Sequence, residues 1–548
     1  MRVHFERALS NIIKHGDTDI FPYPIENLLF FDKKADTLNL LLEIDKDFEE
    51  NLARFPPANH NALAPISYTG FRWASQIDPL WNAYFLGLVI SISEEIERAR
   101  IPKADKSVFS YRIDWEESNA TLFDRDYNWR SFMEHSIDLA RDSKFVVVCD
   151  ISEFYPRLNH HRLENALKQL AVRGNQPSKI MRFLSNFSHT YSFGIPVGGP
   201  ASRILSELLL NQIDRLLRAE GIRFCRFADD YHLFAENYEG AFKNFLFLSE
   251  KLLNNQGLQL QKAKTRIMSG HEFVSTSPLS REPTPIHVDS QPPSLPPPDG
   301  IPAGSERPPQ SLLSFSIRFD PYSPTALQDY EELKTEIRKY DIISLLKAEL
   351  TKSRIHISLS RKIIAAIRFI DEEQRDDAVI SLISNANLLY PIYSNALMVA
   401  KALYTELRHE TREIIVGKVA QLITEKSHVV QGELNLAYAI RLLAESRGPE
   451  LEELLNKIYT ETRSSILRRD IILVMAKWRA WYWLSNLRTE FRTLGAAERR
   501  AFIIASYVLT DEGKHWRDHI EKELSPFELL LKNWASERAR TPTWSVPI

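Results

Sequence analysis

Ile222-Arg223-Phe224-Cys225-Arg226-Phe227-Ala228-Asp229-Asp230-Tyr231-His232-Leu233-Phe234-Ala235 reads as two short strands joined by a tight turn. Two adjacent acids stand at its tip. Side by side, two carboxylates repel one another, and they are costly unless they are exposed or held by a cation. Taken alone, such a pair is more often a solvated turn. Its neighbours along the chain decide how it is read.

Upstream, Lys144-Phe145-Val146-Val147-Val148-Cys149-Asp150 is an apolar run that ends on a carboxylate, followed by Ile151-Ser152-Glu153-Phe154-Tyr155-Pro156 and a helical pattern from about Arg162 to Ala171. An acid at the end of a buried strand is presented from a rigid element. Asp150 brought beside Asp229 and Asp230 makes a three-carboxylate site. Its oxygen ligands favour magnesium or manganese over zinc, and two such ions would serve phosphoryl transfer. Between these acids lies Gly194-Ile195-Pro196-Val197-Gly198-Gly199-Pro200-Ala201-Ser202-Arg203, a glycine-rich turn leading into a helical pattern from Ala201 to Leu217. Glycine permits close backbone approach to a ligand, although a plain loop–helix junction has the same composition. After the hairpin, Gly257-Leu258-Gln259-Leu260-Gln261-Lys262-Ala263-Lys264-Thr265 places a lysine beyond a short strand. Lys264 there is either a solvated surface cation or a phosphate contact.

The chain has 548 residues, 44% hydrophobic and 26% charged, which fits two or three globular domains. With 69 Lys and Arg against 72 Asp and Glu, the net charge of −3 argues against a protein that coats nucleic acid through bulk charge. The distribution is uneven: residues 1–150 carry 17 basic and 25 acidic side chains, whereas 151–275 carry 16 and 11. The positive excess thus falls on the region that begins after Asp150 and holds Asp229 and Asp230, where phosphates would be bound. Residues 311–548, with 34 and 32, are balanced. Two cysteines, Cys149 and Cys225, rule out a disulfide framework and a Cys-rich zinc module, and a reducing setting is expected. The N-terminus lacks the apolar core of a signal peptide, and the most apolar stretch, Pro79 to Ile92, is too short to span a bilayer, so a cytoplasmic protein without membrane contact is expected.

Of 29 prolines, 11 lie between Pro278 and Pro309. Proline removes backbone donors and fixes φ, so residues 276–310 are expected to form an extended linker. The linker separates a mixed α+β region, 1–275, from an all-α region, 311–548. Apolar helical stripes recur in the latter at 363–367, 396–400, 436–443, 471–475 and 502–507. Their spacing of roughly 30–40 residues predicts stacked helix pairs of the HEAT-like, α-solenoid kind, with an irregular bundle as the alternative.

The order DISEFY, GIPVGGPASR, FADD, GLQLQKAKT resembles motifs A to D of the reverse-transcriptase palm over about 145–270, with Phe227 standing where a tyrosine is most common. The resemblance implies a right-hand fingers/palm core. It makes Asp150, Asp229 and Asp230 the catalytic carboxylates, and Asp150, the Ile151 carbonyl, Asp229 and Asp230 the ligands of two Mg2+ ions, with Mn2+ as a substitute. It makes Tyr155 a steric gate against the ribose 2′-hydroxyl, assigns Gly198, Gly199 and Ser202 to the nucleotide and template pocket, and sends Lys264 to the incoming phosphates. Arg98 to Lys103 and Val108-Phe109-Ser110-Tyr111-Arg112 resemble the finger region, where Lys103, Lys106 and Arg112 are candidate triphosphate contacts or ordinary surface cations.

A reverse-transcriptase core followed by a long helical half resembles the abortive-infection, defence-associated reverse transcriptases of bacteria. That resemblance implies a cytoplasmic homo-oligomer that takes dNTPs, synthesises DNA without a conventional template, attaches the product to one of its own tyrosines, and protects against phage. Two other readings remain: an RNA-templated enzyme of retron or intron type with a dedicated RNA partner, and a helical scaffold with a vestigial polymerase core.

Overall fold

A computed structural model describes residues 1–18, 20–188, 191–277, 279, 341–541 and 544–548. The proline-rich stretch expected to link the two halves lies, apart from residues 276, 277 and 279, outside the described residues, as does the start of the helical half at 311.

Among the described residues eight strands occur: β1 (His60–Pro65), β2 (Phe71–Gln76), β3 (Ile113–Glu116), β4 (Thr121–Phe123), β5 (Phe145–Asp150), β6 (Arg223–Phe227), β7 (Asp230–Ala235) and β8 (Arg266–Ser269). The first four form two hairpins, and the last four form an antiparallel sheet in the order β6-β7-β5-β8. β5 is flanked on both edges and covered on both faces, which is why it reads as an unbroken apolar run. Alternate side chains serve different cores. Val147 and Cys149 join Tyr231 and Leu233 in the main core, while Val146 packs with Phe132, Phe234 and Phe273 in a smaller cluster on the other face. That second face includes His232, stacked on Phe132 at 4.5 Å between ring centroids and bonded to Ser136 Oγ at 2.9 Å.

Two helices that pack on each other lie in the main core. Pro79–Ile90 is apolar on every side and wholly buried, so the most hydrophobic stretch of the chain is a core helix. Among the described residues no helix is long and apolar enough to cross a membrane. Pro200–Ala219 begins with proline in its first turn, where the missing N–H has no helical partner to lose.

Beyond residue 341 the described chain is helical, and the repeat expected from the apolar stripes is present. Helices Ile357–Ala366, Tyr393–Leu403, Glu433–Leu443, Ser465–Lys477 and Ala496–Ala505 carry the stripes and pack in succession, followed by Pro526–Ala539. Between them run Glu372–Ser384, His409–Thr424, Pro449–Glu461, Trp481–Thr489 and Thr510–Ile520. Each stripe is too apolar to face water, and stacking the next repeat on it buries it.

The inner row of this array grips the N-terminal region. Arg500, itself buried, donates to Glu26 Oε1 and Asp78 Oδ2, both at 2.8 Å. Arg441 is paired with Asp470 and donates to the Tyr23 carbonyl at 2.8 Å. The Tyr68 hydroxyl donates to the Leu388 carbonyl at 2.6 Å, and Trp534 Nε1 donates to Asp32 at 2.5 Å. One continuous apolar core runs from Phe5 to Val546 through both regions.

Replacing one member of a buried ion pair strands the others without water or partner. R500M leaves Glu26 and Asp78 buried and unpaired, and is expected to cost about 3–5 kcal/mol in chemical denaturation. R141M, which breaks only the exposed pair with Asp138, is expected to leave the midpoint in place. Equal behaviour of the two variants would show that the Arg500 contact contributes nothing to docking.

Candidate active site

The register of the sheet brings the acids together. Asp150 and Asp230 are directly opposite partners on β5 and β7, and the Ile151 N–H donates to the Asp229 carbonyl at 3.0 Å. The predicted hairpin is present with Ala228 and Asp229 as its loop. A two-residue loop needs a left-handed residue to match strand twist, and Ala228 takes that role at φ 52°.

The electrostatics are those of an under-neutralised acid cluster. Burial, followed by the nearby Asp150 charge, pushes the Asp229 carboxyl up to about 6. Burial, then Asp229 and Asp150, pushes Asp230 to about 7. The Lys264 ammonium is ion-paired with Asp150. Burial opposes its charge, but the bond to Asp150 and the field of all three acids raise its pKa. Among the described residues, no three His, Cys, Asp or Glu side chains stand close enough together to enclose an ion. The donor chemistry nevertheless fits a hard divalent cation: oxygen atoms only, partly desolvated and mutually repelling.

Tyr155 sits on the short helix Phe154–Arg157, launched by Glu153 in the left-handed region at φ 48°. The glycine-rich loop is tied to that helix: the Ile195 N–H donates to the Tyr155 carbonyl at 3.1 Å, and Gly194 N–H to Leu158 at 2.8 Å. Gly198 has φ 113°, a conformation that L side chains rarely adopt. Gly199 caps the helix Pro200–Ala219, and Ser202 is buried in its first turn. Gly199 and Ser202 line a small cleft with Asp17, Gln76 and Asn82 from the N-terminal region. No local pattern signals that residues so far upstream reach this loop.

The three finger candidates separate. Arg112 is fully buried, and its guanidinium donates to Glu97 and to the carbonyls of Val108 and Ile101, so this residue braces the fingers and cannot reach a triphosphate. Lys103 is held by Asp124 at 2.5 Å and lies over the Tyr127 ring at 5.5 Å. Lys106 is exposed, in a left-handed conformation at φ 48°.

Sequence reading missed Arg226. It is completely buried beneath the acid turn, donating to Glu207 at 2.8 Å, to Asp214 at 2.7 Å and to the Ala228 carbonyl at 3.0 Å. Arg100, on the finger side, donates to Glu207 at 2.5 Å, and Ser110 Oγ does so at 2.6 Å. Burial works against the Glu207 charge, and Arg226 with Arg100 more than offsets it, holding the carboxyl below its usual range. A signal was present: Glu207 and Asp214 are seven residues apart on one apolar helix face, and buried acids there demand a cation.

R226M removes the guanidinium partner of Asp214 and leaves Glu207 with Arg100 and Ser110, and is expected to destabilise the protein by about 3–5 kcal/mol in denaturant titration; a loss under about 1 kcal/mol would contradict the assignment. Asp17 gives a pH test. Burial raises its carboxyl to about 6, so the fold favours its neutral form and loses stability as pH rises through that value. D17N is therefore expected to raise the melting midpoint at pH 8 and to leave it unchanged at pH 4. An equal change at both values would show that ionisation of Asp17 plays no part.

Residues 99–294 match the family described as "Reverse transcriptase (RNA-dependent DNA polymerase)". No curated protein sequence matches the chain. Among solved structures, it is similar to telomerase from Candida albicans in complex with a TWJ fragment of telomeric RNA, at 11% identity and a TM-score of 0.28 over 71% of this chain and 69% of that one. It is also similar to apo telomerase from Candida tropicalis, at 12% identity and a TM-score of 0.27, covering 80% and 72%. The sequence match rests on the segment that builds the sheet and its acid turn. That segment is a reverse-transcriptase palm, and the protein is a nucleotidyltransferase, a DNA polymerase of the reverse-transcriptase type.

Proposed function

We propose that this protein is a Mg2+-dependent DNA polymerase of bacterial antiphage defence, of the abortive-infection type, which adds dNTPs without a conventional template to a primer on its own chain. In this reading it works in the cytoplasm as a homo-oligomer, with 1–275 as the polymerase unit and 311–548 as the helical unit. The observation that carries the reading is the pairing of a reverse-transcriptase acid turn with a helical array whose inner row is filled by the chain's own residues 20–78. A surface so occupied does not offer a track for a long template duplex, and its charge is balanced.

Asp150, Asp229 and Asp230, with the Ile151 carbonyl, would hold the metal ions. Ions held there would supply Lewis-acid activation of the attacking hydroxyl and charge neutralisation at the departing pyrophosphate. The chain's own residues do the rest. Arg226 fixes the turn through the Ala228 carbonyl, so the acids are presented without reorganisation. Lys264, now beside Asp150, is in position to meet the triphosphate. Gly198 and Gly199 leave the backbone open for the base, and Tyr155 closes the pocket on the sugar.

The test is to incubate the full-length protein with labelled dNTPs and Mg2+, with neither template nor primer. Label that stays with protein until protease treatment supports the proposal. A strict need for added or copurified RNA overturns it in favour of the retron or intron type. D229N is expected to abolish incorporation while the melting midpoint is retained, and chelation of the metal is expected to stop the reaction until Mg2+ or Mn2+ is restored. Normal synthesis by D229N would remove the acid turn from the chemistry.

A further inference from the structure

The β1–β2 hairpin has two unlike faces. Direct cross-strand partners share a face. His60 therefore lies with Gln76, Ala62 with Ala74 and Ala64 with Arg72, while Asn61 lies with Ser75, Leu63 with Trp73 and Pro65 with Phe71. The first face meets the helical array: His60 Nε2 lies 2.6 Å from Glu433 Oε1, Arg469 donates to Gln76 Oε1 at 3.4 Å, and Ala62, Ala64 and Ala74 are buried. The second face is left to water. Trp73 is 54% exposed there, and Phe71 and Leu63 are each 48% exposed. Three large apolar side chains grouped on one face mark a binding surface, unlike apolar residues scattered singly.

The course and charge of the hairpin say what it takes. Along this face β2 runs inward from Phe71 through Trp73 to Ser75, and Ser75 lines the cleft beside Gly199 and Ser202. A strand leaving the cleft this way meets Trp73 first and Phe71 next. Residues two apart on a β-strand stand about 6.8 Å apart. That is about twice the roughly 3.4 Å interval between stacked bases, room for one base between two rings. Every base offers a flat face to an aromatic ring, so such a platform holds single strands whatever their sequence, whereas a duplex hides those faces. Residues 60–76 contain no acid, although residues 1–150 carry 25, and they include the exposed Arg72. Beyond the strands, in the hairpin loop, the Arg354 guanidinium lies over the Tyr68 ring at 5.7 Å. An acid-free, cation-bearing hairpin suits a polyanion.

We propose that the outward face of this hairpin binds single-stranded DNA, with unpaired bases stacked on Trp73 and Phe71, and leads the growing strand away from the glycine-rich loop. Guidance of the product rests on the reading of the chain as a template-independent DNA polymerase; the binding does not.

The test uses the full-length protein and an end-labelled oligo(dT) of about 20 nucleotides, followed by fluorescence anisotropy without dNTPs. W73A is expected to raise Kd about five- to hundredfold, the range of one base–aromatic stack, and F71A to act in the same direction. W73F keeps a ring and is expected to recover most of the loss. Y482A removes a still more exposed ring, on the helix Trp481–Thr489, and is expected to leave Kd unchanged. The same oligonucleotide annealed to oligo(dA) is expected to bind more weakly than the free strand. Without any substitution, photocrosslinking of an oligonucleotide carrying 5-iododeoxyuridine is expected to mark the peptide that holds Phe71 and Trp73. An unchanged Kd in the W73A/F71A double variant, an equal loss in Y482A, equal affinity for the duplex, or crosslinks confined to other peptides overturns the platform. A change of oligomeric mass in W73A with oligonucleotide binding intact also overturns it, and gives the face to a second copy of the chain. Incorporation of dNTPs by the same preparation keeps the two readings apart. Trp73-dependent binding by a protein that incorporates no dNTP removes the polymerase reading and leaves the single-strand site; incorporation with binding indifferent to both rings removes the site and leaves the polymerase.

Discussion

The buried guanidinium of Arg226 is the constraint on which the catalytic half depends. A charge with no solvent exposure is tolerable only when its donors are all met. Glu207 and Asp214 meet them from one helix, and the Ala228 carbonyl meets another from the turn itself. The helix behind the sheet, the strand leading to the acids and the loop that carries them are thereby fixed to one point. Arg100 and Ser110 extend the network into the fingers, so the finger segment and the palm share it. The acid turn gains a rigid support without a covalent link, and Asp229 and Asp230 can be held close together despite mutual repulsion.

The same device joins the two halves of the chain. Arg500 binds Glu26 and Asp78, and Arg441 binds Asp470 and the Tyr23 carbonyl, all at the contact between the helical array and the N-terminal segment. Asp78 precedes the core helix Pro79–Ile90, and Gln76 lines the cleft beside Gly199. The array therefore supports residues that in turn back the glycine-rich loop. Geometry at the loop is coupled through packed elements to the helical repeats.

Much of this was legible in the sequence. The β5 run and the Asp-Asp hairpin are local signals, an unbroken apolar stretch and a turn between two strand-like segments, and their order against the glycine loop and Lys264 is linear information. The helical repeat showed because each stripe must be buried by its neighbour. What stayed hidden depends on long-range contact. Arg226 and Arg112 have the composition of exposed strand and finger cations, and only the fold shows them buried among acids and carbonyls. The grip of the array on residues 20–78 joins positions hundreds of residues apart, which no local pattern encodes. Tyr111 was quoted within a finger segment, but its left-handed backbone and its packing on Phe123 and Phe227 arise from the shared surroundings.

The proposal to test is that Asp150 and Asp229 hold a divalent cation beside the incoming nucleotide, with Lys264, paired with Asp150 in this structure, turning to the phosphates. The most direct measurement is a crystal structure of the full-length protein with Mn2+ and a non-hydrolysable dNTP, read by anomalous scattering. The account predicts manganese between the carboxylates of Asp150 and Asp229, with the Lys264 ammonium moved onto the phosphates. Manganese and nucleotide bound elsewhere, with the Lys264–Asp150 pair intact, would contradict it.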